Sequence, residues 1–420
     1  MNFKIKIVLL CFFAVQLFPG FSQNIDIYSN NISGFGFDTK GGVDGKIIRV
    51  TNLNSAGEGS LAAAIQQTGA RIVVFEVAGV IDLKESVLQI KKPFITIAGQ
   101  TAPAPGITLI KGGLLITTNE VIVQHIRVRP GEAGHKKRAG WEMDGITTSK
   151  GAYNVIIDHC SVSWGTDEGI SASGPRFDGK NVDEWRKNTS HKIVISNCII
   201  AEGLNHSTHS EGKHSKGTLV HDNTTEIAIV GNLYVNNERR NPFFKGGAQG
   251  IVVNNYIYNP GGGVIHYRLA KHEWRGHKPV TGKMSVEGNL IEFGKDTPKN
   301  AAAGNFSGPV ELFWKDNRVV SKVKKELRGS YTLVEKYPVW PEGFSACSSA
   351  KVKERVLSSA GACPWARDET DKRIIEMVKN KTGRIIDSES QVGGYPKILP
   401  VFQKFSIDEW DFTRFVKKRK

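Results

Sequence analysis

The feature of the sequence that most constrains its fold is a short β-branched segment that recurs between residues 95 and 289. Each copy ends in Gly, His or Asn, and consecutive copies end 23 to 38 residues apart. The segments end at Gly99, His125, His159, Asn197, Asn232, Asn255 and Asn289. A strand of a few residues cannot bury its apolar side alone, whereas stacked coils bury a continuous core. The repeat therefore predicts parallel coils stacked on one another.

The stretches between the short strands decide which parallel fold is expected. They are rich in Gly, Asn, Ser and Thr, and they lack the 3.6-residue apolar period of the helices that connect strands in a doubly wound α/β fold. Glycine supplies 45 of the 420 residues, which indicates many tight turns. The sequence therefore predicts an all-β protein, a right-handed single-stranded parallel β-helix.

The first residues are typical of a secretory signal peptide, which we assign to residues 1–22. Lys4 and Lys6 precede the apolar run Ile7–Phe18, and small residues lead to a cleavage point after Ser22. The run has 12 residues, fewer than the ~20 that a helix needs to cross a bilayer. We therefore expect an exported protein without a membrane span, which is secreted, periplasmic or held at the cell surface.

The pattern changes near residue 309, where helical spacing replaces the short strands. Residues 349–360 and 368–380 carry apolar residues at helical intervals. We therefore expect two parts in the mature chain. Residues 23–308 should form the β-helix domain, and residues 309–420 should form an extension that contains short helices and packs on the β-helix.

Four cysteines follow the predicted signal peptide, and their positions leave two interpretations open. Cys160 and Cys198 each follow a strand end by one residue in neighbouring coils, which should lie about 4.8 Å apart. That spacing suits either a disulfide or two stacked, buried thiols. Cys347 and Cys363 flank a predicted helix and are candidates for a second bridge in an oxidising compartment. The chain has no Cys-x-x-Cys pair, so no zinc site is indicated.

The chain is strongly basic, with 56 Lys and Arg against 41 Asp and Glu and a formal net charge of +15. Clustered cations raise the local concentration of an acidic ligand, which favours a polyanionic partner. Nucleic acid is not expected outside the cell, so an acidic polysaccharide or an anionic surface is the expected partner. Excess lysine that serves only solubility is the alternative. We expect a monomer.

Acidic and basic residues recur at one offset from the ends of the short strands. Asp167 follows His159 by eight residues, and Arg240 follows Asn232 by eight. If the loops begin alike, the two side chains occupy one column two coils apart, roughly 10 Å along the stack. An acidic group and a basic group are therefore expected to share a groove.

Carboxylates in consecutive coils form a candidate metal site. Asp144 and the pair Asp167 and Glu168 lie beside glycines that allow close approach of the backbone. Oxygen ligands in a flexible arrangement suit calcium, which accepts six to eight of them. The alternative is that these are ordinary turn residues that cap glycine-containing bends.

The two following coils supply cations for the same groove. Lys216 lies in the first of them, and Arg239, Arg240 and Lys245 lie in the second. Pro242 stiffens the second turn, so the arginine heads are expected to be held in place. An Arg-Arg pair that serves only as surface charge is the alternative.

Three segments carry a resemblance to a known family. They are Asp144–Ile146, Asn154–Asp167 and Arg240–Lys245, and fainter similarity spans roughly residues 34 to 270. Together they resemble the extracellular pectate lyases of the polysaccharide lyase family that adopts a parallel β-helix, and the third segment is similar to that family's Arg-x-Pro-x-x-Arg pattern. The resemblance implies an exported enzyme that cleaves pectate or polygalacturonate by calcium-assisted β-elimination and leaves unsaturated uronate ends.

The resemblance also implies roles for single residues. Arg240 would be the catalytic base, and Lys216, Lys245 and Arg239 would bind substrate carboxylates. Lys245 stands where the family has a second arginine, and its point charge cannot grip a carboxylate with a bidentate fork. The pKa of an arginine exceeds ~12, so base function requires neighbouring cations to lower it, and a lysine is the rival base.

Calcium is the cofactor that the resemblance implies, with Asp144 and Asp167 as ligands. Ser171 stands where the family usually has a further acidic ligand, and Glu168 is expected to compensate. A methyl ester would remove the carboxylate charge, so a cationic groove favours the unesterified polymer, pectate or homogalacturonan.

Two other functions stay open from the sequence. A polygalacturonan hydrolase would need carboxylates such as Asp167, Glu168 and Glu202 around the scissile bond, but it would give the arginine turn no role. A non-catalytic β-helix that binds acidic polysaccharide would need only basic charge and an aromatic residue such as Trp164 beside the groove.

Overall fold

The computed structural model describes residues 31–321, 325–411 and 416–418. The predicted signal peptide over residues 1–22 lies outside the described residues. The described chain winds into coils that pass in turn through three parallel sheets. The prediction of an all-β parallel β-helix is confirmed.

The first sheet contains the short β-branched segments that repeat in the sequence. Its strands are Lys46–Val50, Arg71–Phe75, Ile95–Ala98, Val121–Gln124, Tyr153–Asp158, His191–Ser196, Thr225–Val230, Gln249–Val253 and Gly282–Glu287. They pair in parallel and in register, so that Val121, Val155, Ile193 and Ile227 occupy one column. The repeat in the sequence is therefore the stack of this sheet.

The second sheet follows the first in every coil after a short turn. Its strands are Val77–Asp82, Ile107–Ile110, Ile126–Arg129, Ser161–Ser163, Ile199–Ala201, Leu233–Val235, Tyr256–Tyr258, Leu290–Glu292 and Arg318–Val319. The strand Val401–Phe402 adds to its edge as an antiparallel partner of Val77–Asp82.

The third sheet completes each coil. Its strands are Leu88–Ile90, Leu114–Ile116, Ile146–Thr148, Glu168–Ala172, Lys216–Val220, Phe243–Lys245 and Ile265–Arg268. The long strand Gly304–Lys315 extends both this sheet and the first, and Leu327–Leu333 pairs with it. The domain boundary that the sequence suggested after residue 308 falls inside Gly304–Lys315, so the stack of strands continues into the predicted extension.

Aliphatic side chains that point inward from the first sheet form the centre of the core. One column is buried along six consecutive strands and lies within the main apolar cluster. It consists of Val123, Ile157, Ile195, Ile229, Val252 and Val286. Burial of one such side chain contributes about 1.5–3 kcal/mol, and the column repeats this gain on every coil.

The turn between the first and second sheets explains why the repeats end in Asn, His or Gly. From the coil of His125 onward the turn residue has a positive φ, as at His159, Asn197 and Gly231, and these residue types tolerate that conformation better than most. The next residue in the later coils is a buried asparagine whose amide bonds its counterpart one coil on. The Asn232 Nδ2 donates to Asn255 Oδ1 at 3.0 Å, which stacks the coils through a ladder of amides.

At this turn the equivalence that residue type suggested between the repeats is wrong by one residue. The pairing of Ser196 with Val230 places Asn197 and Gly231 at equivalent turn positions. Asn232, which we aligned with Asn197 by its residue type, is therefore one step further along its coil. The slip affects every offset counted from Asn232.

Among the residues that the structure describes, four α-helices lie outside the sheets: α1 (Leu61–Gln66), α2 (Val182–Asn188), α3 (Val352–Ser359) and α4 (Glu369–Lys379). Single-turn 3₁₀ helices cover Gly99–Thr101, Lys271–Trp274, Ser349–Lys351, Glu389–Val392 and Ile407–Glu409, and a small hairpin pairs Trp410–Asp411 with Val416–Lys417. The apolar faces of α3 and α4 pack on the outer face of the second sheet. The two helices occupy the regions where helical spacing predicted them.

Buried ion pairs fix α4 to the β-helix. Arg129 Nη1 lies 2.6 Å from Asp368 Oδ2, and Arg127 Nε lies 3.0 Å from Asp371 Oδ2. All four side chains are almost completely buried. Removal of one partner would leave an unpaired buried charge, a loss of about 3–5 kcal/mol. The extension is therefore held by charge as well as by apolar contact.

Cys160, Cys198, Cys347 and Cys363 are free thiols. Cys160 and Cys198 do lie in neighbouring coils, where the Cys160 N–H donates to Cys198 Sγ at 3.4 Å, so the stacked-thiol interpretation describes this pair. The bridge considered between Cys347 and Cys363 is not formed. None of the helices in the described ranges has the length and apolar character needed to cross a bilayer.

Candidate active site

The predicted site residues meet at the corner where each coil passes from the second sheet to the third. Asp144 ends the loop before the strand Ile146–Thr148, and Glu168 begins the next strand of the third sheet. Lys216 begins the strand after that, and Arg240 precedes the strand Phe243–Lys245. The third sheet thus brings together residues almost a hundred positions apart in the chain.

The pairing at this corner differs by two residues from the column that the sequence suggested. Glu168 pairs with Lys216, and Lys216 forms a parallel bridge with Arg239. The expected column of Asp167 and Arg240 is therefore not the backbone register. The misalignment of Asn232 accounts for one residue of the difference, and loops of unequal length before the third sheet account for the other. The side chain of Arg240 nevertheless extends back along the stack and forms an ion pair with Glu168.

Asp144 is held in one orientation by three donors. The hydroxyl of Thr147 donates to Asp144 Oδ2, and so does the hydroxyl of Ser171 at 2.8 Å. The backbone N–H of Glu168 donates to Asp144 Oδ1 at 2.9 Å. Burial, followed by the negative charge of Asp167, raises the pKa of Asp144 to about 7. The pocket therefore resists a second negative charge beside Asp167.

The pKa of Asp167 is shifted in the opposite direction from that of Asp144. Burial works against its ionisation, but the hydrogen bond from His214 and the charge of Arg240 lower its pKa overall. His214 Nε2 lies 2.7 Å from Asp167 Oδ1, and its ring stacks on His209 with centroids 3.4 Å apart. Sequence reasoning missed both histidines as site residues, although His214 lies two residues before Lys216, which it singled out.

Arg240 is a half-buried guanidinium among carboxylates. Its head lies over the ring of Phe243, 5.6 Å from the centroid, and its backbone has a φ of 64°. Burial lowers the pKa of Arg240, while the charges of Asp167 and Asp144 act in the opposite direction. The sequence predicted that cations would lower this pKa, whereas burial is the cause in the structure.

Lys216 and Arg239 differ in exposure although they are neighbours. Lys216 is buried, with 8% of the residue exposed, whereas 61% of the Arg239 side chain is exposed. Burial, and then repulsion by Arg239, lowers the pKa of Lys216. Lys216 is therefore a fixed, partly desolvated cation at the wall of the groove.

The groove beside these residues contains a cavity of about 320 Å³ whose charge is positive. Lys216, Arg239, Arg240 and Arg268 line it together with His266. Burial and the charges of Arg240, Arg239 and Lys216 lower the pKa of His266 to about 3, so its ring adds no charge of its own. An anionic ligand is the one that this cavity favours.

Comparison with known proteins shows the family of this chain. A probable pectate lyase C of Aspergillus flavus is 36% identical over 375 residues, which cover 86% of this chain and 80% of the relative. A probable pectate lyase C of Aspergillus terreus is 34% identical over 374 residues, with the same two coverages. The chain belongs to the pectate lyase family. No family model matches it.

Solved structures agree on the fold of this pectate lyase family member. The cedar pollen allergen Jun a 1 matches with a TM-score of 0.52 and 16% identity over 78% of this chain and 92% of the allergen. A Bacillus pectate lyase solved in complex with trigalacturonate matches with a TM-score of 0.50 and 14% identity over 79% of this chain and 98% of that enzyme. At such low identity these structures support the β-helix fold alone.

Lys245 does not face the groove as a free cation in this pectate lyase family member. Its ammonium forms an ion pair with Glu273 and lies 3.4 Å from Asp222 Oδ2. Arg176 contacts the same two carboxylates, with Nε 2.9 Å from Asp222 Oδ2 and Nη2 2.5 Å from Glu273 Oε2. Sequence reasoning missed this network, because Glu273 belongs to a short 3₁₀ helix inserted between two coils.

Arg268 is a second residue that sequence reasoning missed. It pairs with Lys245 in the third sheet, one coil further along. It lines the cavity of about 320 Å³ and also a smaller one of about 220 Å³ that contains Lys245 and Glu273. The family's second arginine is absent at Lys245, so Arg268 is the guanidinium nearest to that position in the register.

Two residues considered for other functions lie away from the groove surface. Glu202 is fully buried, accepts from Trp164 Nε1 at 3.1 Å and pairs with Arg373 of α4 at 2.7 Å. Trp164 is fully buried as well. Glu202 thus anchors the extension, and Trp164 offers no surface for a sugar ring.

The donor set at the corner fits a hard divalent cation. Asp144, Asp167 and Glu168 each offer a carboxylate oxygen, and these atoms lie within 4.8 Å of one another. Burial, followed by repulsion from Asp167, raises the pKa of Asp144, and a cation would relieve that repulsion. Oxygen-only ligands favour calcium or magnesium over zinc. Ser171 contributes a hydrogen bond to Asp144 in place of a further charge.

Proposed function

We propose that this chain is an exported pectate lyase that cleaves unesterified polygalacturonate by β-elimination. The observation that carries the proposal is the position of Arg240. Its guanidinium lies between the carboxylates around Glu168 and a cationic cavity that also contains Lys216. Family membership supplies the reaction class, and the charge of the cavity favours the unesterified polymer.

The reaction needs a base for the proton at C5 of a galacturonate and a way to hold the electron pair that remains. In the proposed mechanism the neutral form of Arg240 takes the C5 proton, the electrons form the C4–C5 double bond, and the bond from C4 to the glycosidic oxygen breaks. That oxygen leaves with the bonding electrons and takes a proton from water. Burial lowers the pKa of Arg240, which is the direction that base function requires. The fixed charge of Lys216 stabilises the enolate-like charge on the C6 carboxylate.

Asp144, Asp167 and Glu168 would hold calcium beside the same carboxylate. When bound, the ion would make the C5 proton more acidic by withdrawing charge from the C6 carboxylate. His214 keeps Asp167 ionised and oriented through its hydrogen bond. The three hydrogen bonds on Asp144 fix that side chain in the same way. The carboxylates that would bind the ion are therefore preorganised before the substrate binds.

Arg239 and Lys245 are proposed to bind neighbouring uronates of the chain. Arg239 is exposed at the rim, and it reaches a polymer without rearrangement. Lys245 must exchange its contact with Glu273 for a substrate carboxylate. Substrate binding at Lys245 therefore costs an ion pair, whereas binding at Arg239 needs no such exchange.

The test is incubation of the purified protein with polygalacturonate and calcium while the ultraviolet absorbance of conjugated product ends is followed. A rising absorbance supports the lyase. New reducing ends without absorbance would instead identify a hydrolase, and retention on a pectate column without either signal would identify a binding protein.

Export and the monomeric state are parts of the same proposal. Cleavage after Ser22 would be read directly from the N-terminal sequence of the protein recovered from the culture medium or periplasm. Size-exclusion chromatography with light scattering would check the monomer of the mature chain. A dimer would contradict the expected state without affecting the proposed reaction.

A further inference from the structure

A cavity of about 540 Å³ lies on a different corner of the β-helix from the candidate active site. It is lined by residues of the 3₁₀ helix Gly99–Thr101, by His125, by Trp365 and by residues 403–406. These elements belong to the turn from the first sheet to the second and to the C-terminal extension. The volume is within the range of sites that bind small ligands.

His125 lines this cavity and carries a ring N–H that none of the described residues accepts. Only 7% of the residue is exposed, and its Nδ1 accepts the backbone N–H of Cys363 at 3.2 Å. A neutral imidazole with an accepting Nδ1 carries its proton on Nε2, and this N–H makes no hydrogen bond to the residues that the structure describes. The ring stacks on His159 at 4.9 Å, which fixes its direction.

Trp365 forms a wall of the cavity and is exposed to an unusual degree for tryptophan. It is 58% exposed, and its ring centroid lies 5.0 Å from that of His125 at an angle of 55°. Its indole N–H also makes no hydrogen bond within the described ranges. A sugar ring matches such a surface, because its C–H face packs on an aromatic ring while its hydroxyls accept hydrogen bonds at the edge.

Lys404 supplies positive charge to this cavity. It is exposed, lines the cavity and has no ion-pair partner in the described part of the chain. The other lysine there, Lys417, lies 2.7 Å from Glu409, so its charge is already balanced. A single unbalanced cation beside an aromatic wall favours a sugar that carries a carboxylate over a neutral one.

We propose that this cavity, formed by Trp365, His125 and Lys404, is a second binding site for oligouronate chains, separate from the catalytic groove. The identity of the ligand as a uronate rests on the proposed function, whereas the presence of a saccharide site rests on the cavity itself. A second contact on one polymer raises the effective concentration of that polymer at the groove. The site should therefore increase affinity for long pectate without affecting the cleavage of short substrates.

The proposal is tested with the full mature chain in a native gel that contains polygalacturonate and a chelator, which measures binding without turnover. The retardation of Trp365→Ala should be about fivefold weaker than that of the wild-type protein, which is the scale of one aromatic contact. Trp365→Phe should retain most of it. Tyr153→Ala is the matched control, because Tyr153 is also an exposed aromatic residue stacked on a histidine, His191.

Kinetics and neutral polymers complete the test. Trp365→Ala should raise the KM for polygalacturonate and leave kcat and KM for trigalacturonate unchanged. Lys404→Ala should weaken retardation by polygalacturonate, whereas wild type should not be retarded by dextran. Equal retardation of Trp365→Ala and wild type, with the thermal midpoint preserved, would overturn the second site. A protein that is retarded through Trp365 but yields no unsaturated product would keep this site and overturn the proposed function.

Discussion

The guanidinium of Arg240 forms an ion pair with the carboxylate of Glu168, although the two residues lie two coils apart in the stack. The side chain of Arg240 spans the coil that carries Lys216, so an acid, a lysine and an arginine follow one another across the groove. A substrate carboxylate that enters there meets Lys216 beside Arg240. The contact couples the proposed base to the proposed metal ligands.

Arg240→Ala should lower the turnover of polygalacturonate by at least about a thousandfold, the scale of a lost general base. Binding should change little, because Lys216 and Arg239 remain. The measurement is the rate of ultraviolet absorbance increase at saturating substrate. The matched control is Arg239→Ala, which removes the neighbouring exposed guanidinium and should lose less than about tenfold in turnover. Similar losses in the two variants would remove Arg240 from its proposed role.

Calcium affinity should fall as pH is lowered from 8 to 6. Burial and Asp167 raise the pKa of Asp144 to about 7, and a carboxylate must lose its proton before it binds the ion. One unit below the pKa about a tenth of the side chain is ionised, so the apparent Kd should rise by about tenfold. Isothermal titration in two buffers of different ionisation enthalpy should also show proton release at pH 6. An affinity that does not depend on pH would show that Asp144 is not a ligand.

Ser171→Asp should make the stability of the protein depend on calcium. The hydroxyl of Ser171 donates to Asp144 at 2.8 Å, and an aspartate there would place two carboxylates against each other. We expect a thermal midpoint several degrees lower with chelator, since about 1 kcal/mol shifts it by a few degrees, and recovery when calcium is added. Ser171→Ala is the control, which loses the hydrogen bond without gaining a charge. Equal midpoints of Ser171→Asp with and without calcium would contradict the proposed metal site.

Glu273→Gln should lower the KM for polygalacturonate and leave kcat unchanged. The carboxylate of Glu273 pairs with Lys245 and Arg176. Its removal leaves Lys245 with only the longer contact of 3.4 Å to Asp222, so a substrate carboxylate competes for Lys245 more easily. Steady-state kinetics would separate the two parameters. Lys271→Ala, in the same 3₁₀ helix, is the control for disturbance of that segment. A higher KM in Glu273→Gln would indicate that the network positions Lys245 and does not compete for it.

Asp158→Asn should lower the free energy of unfolding at neutral pH and make that free energy depend less on pH in acid. Burial opposes ionisation, but His159 and the hydrogen bonds from Asn197 and Ser196 lower the pKa of Asp158 to about 2. An aspartate has a pKa of about 3.9 when unfolded, so this group contributes ~2 kcal/mol above that pH and loses it as pH falls to 2. Urea unfolding at several pH values measures the difference. Parallel curves for wild type and variant below pH 4 would contradict the assignment.

The comparison of sequence and structure is most instructive at the turn after the first sheet. Residue type predicted that Asn197 and Asn232 are equivalent, yet the register makes Gly231 the counterpart of Asn197. Both the left-handed turn position and the ladder position favour asparagine, so residue type cannot distinguish the two. Hydrogen bonding between coils decides which residue occupies which position.

The sequence did not predict the electrostatic partners of the predicted cations. The sequence indicated that Lys245 was free to bind substrate, but Glu273 and Asp222 surround it. Glu202 was a candidate acid, but it is buried against Arg373 of the extension. Each partner comes from a segment whose position depends on how insertions fold over the sheet.

The short β-branched repeats and the stretches between them, which lack helical periodicity, determined by themselves that this chain is a parallel β-helix, and the motifs around Asp144, Asp167 and Arg240 determined its family. Those features are local, because strand length, turn conformation and side-chain type act within one coil. Only the tertiary structure decided that Arg240 reaches Glu168, that Lys245 is paired, and that Trp365 lies against His125. These contacts join distant coils and the extension, and their energies arise from burial and charge that exist once the coils have stacked.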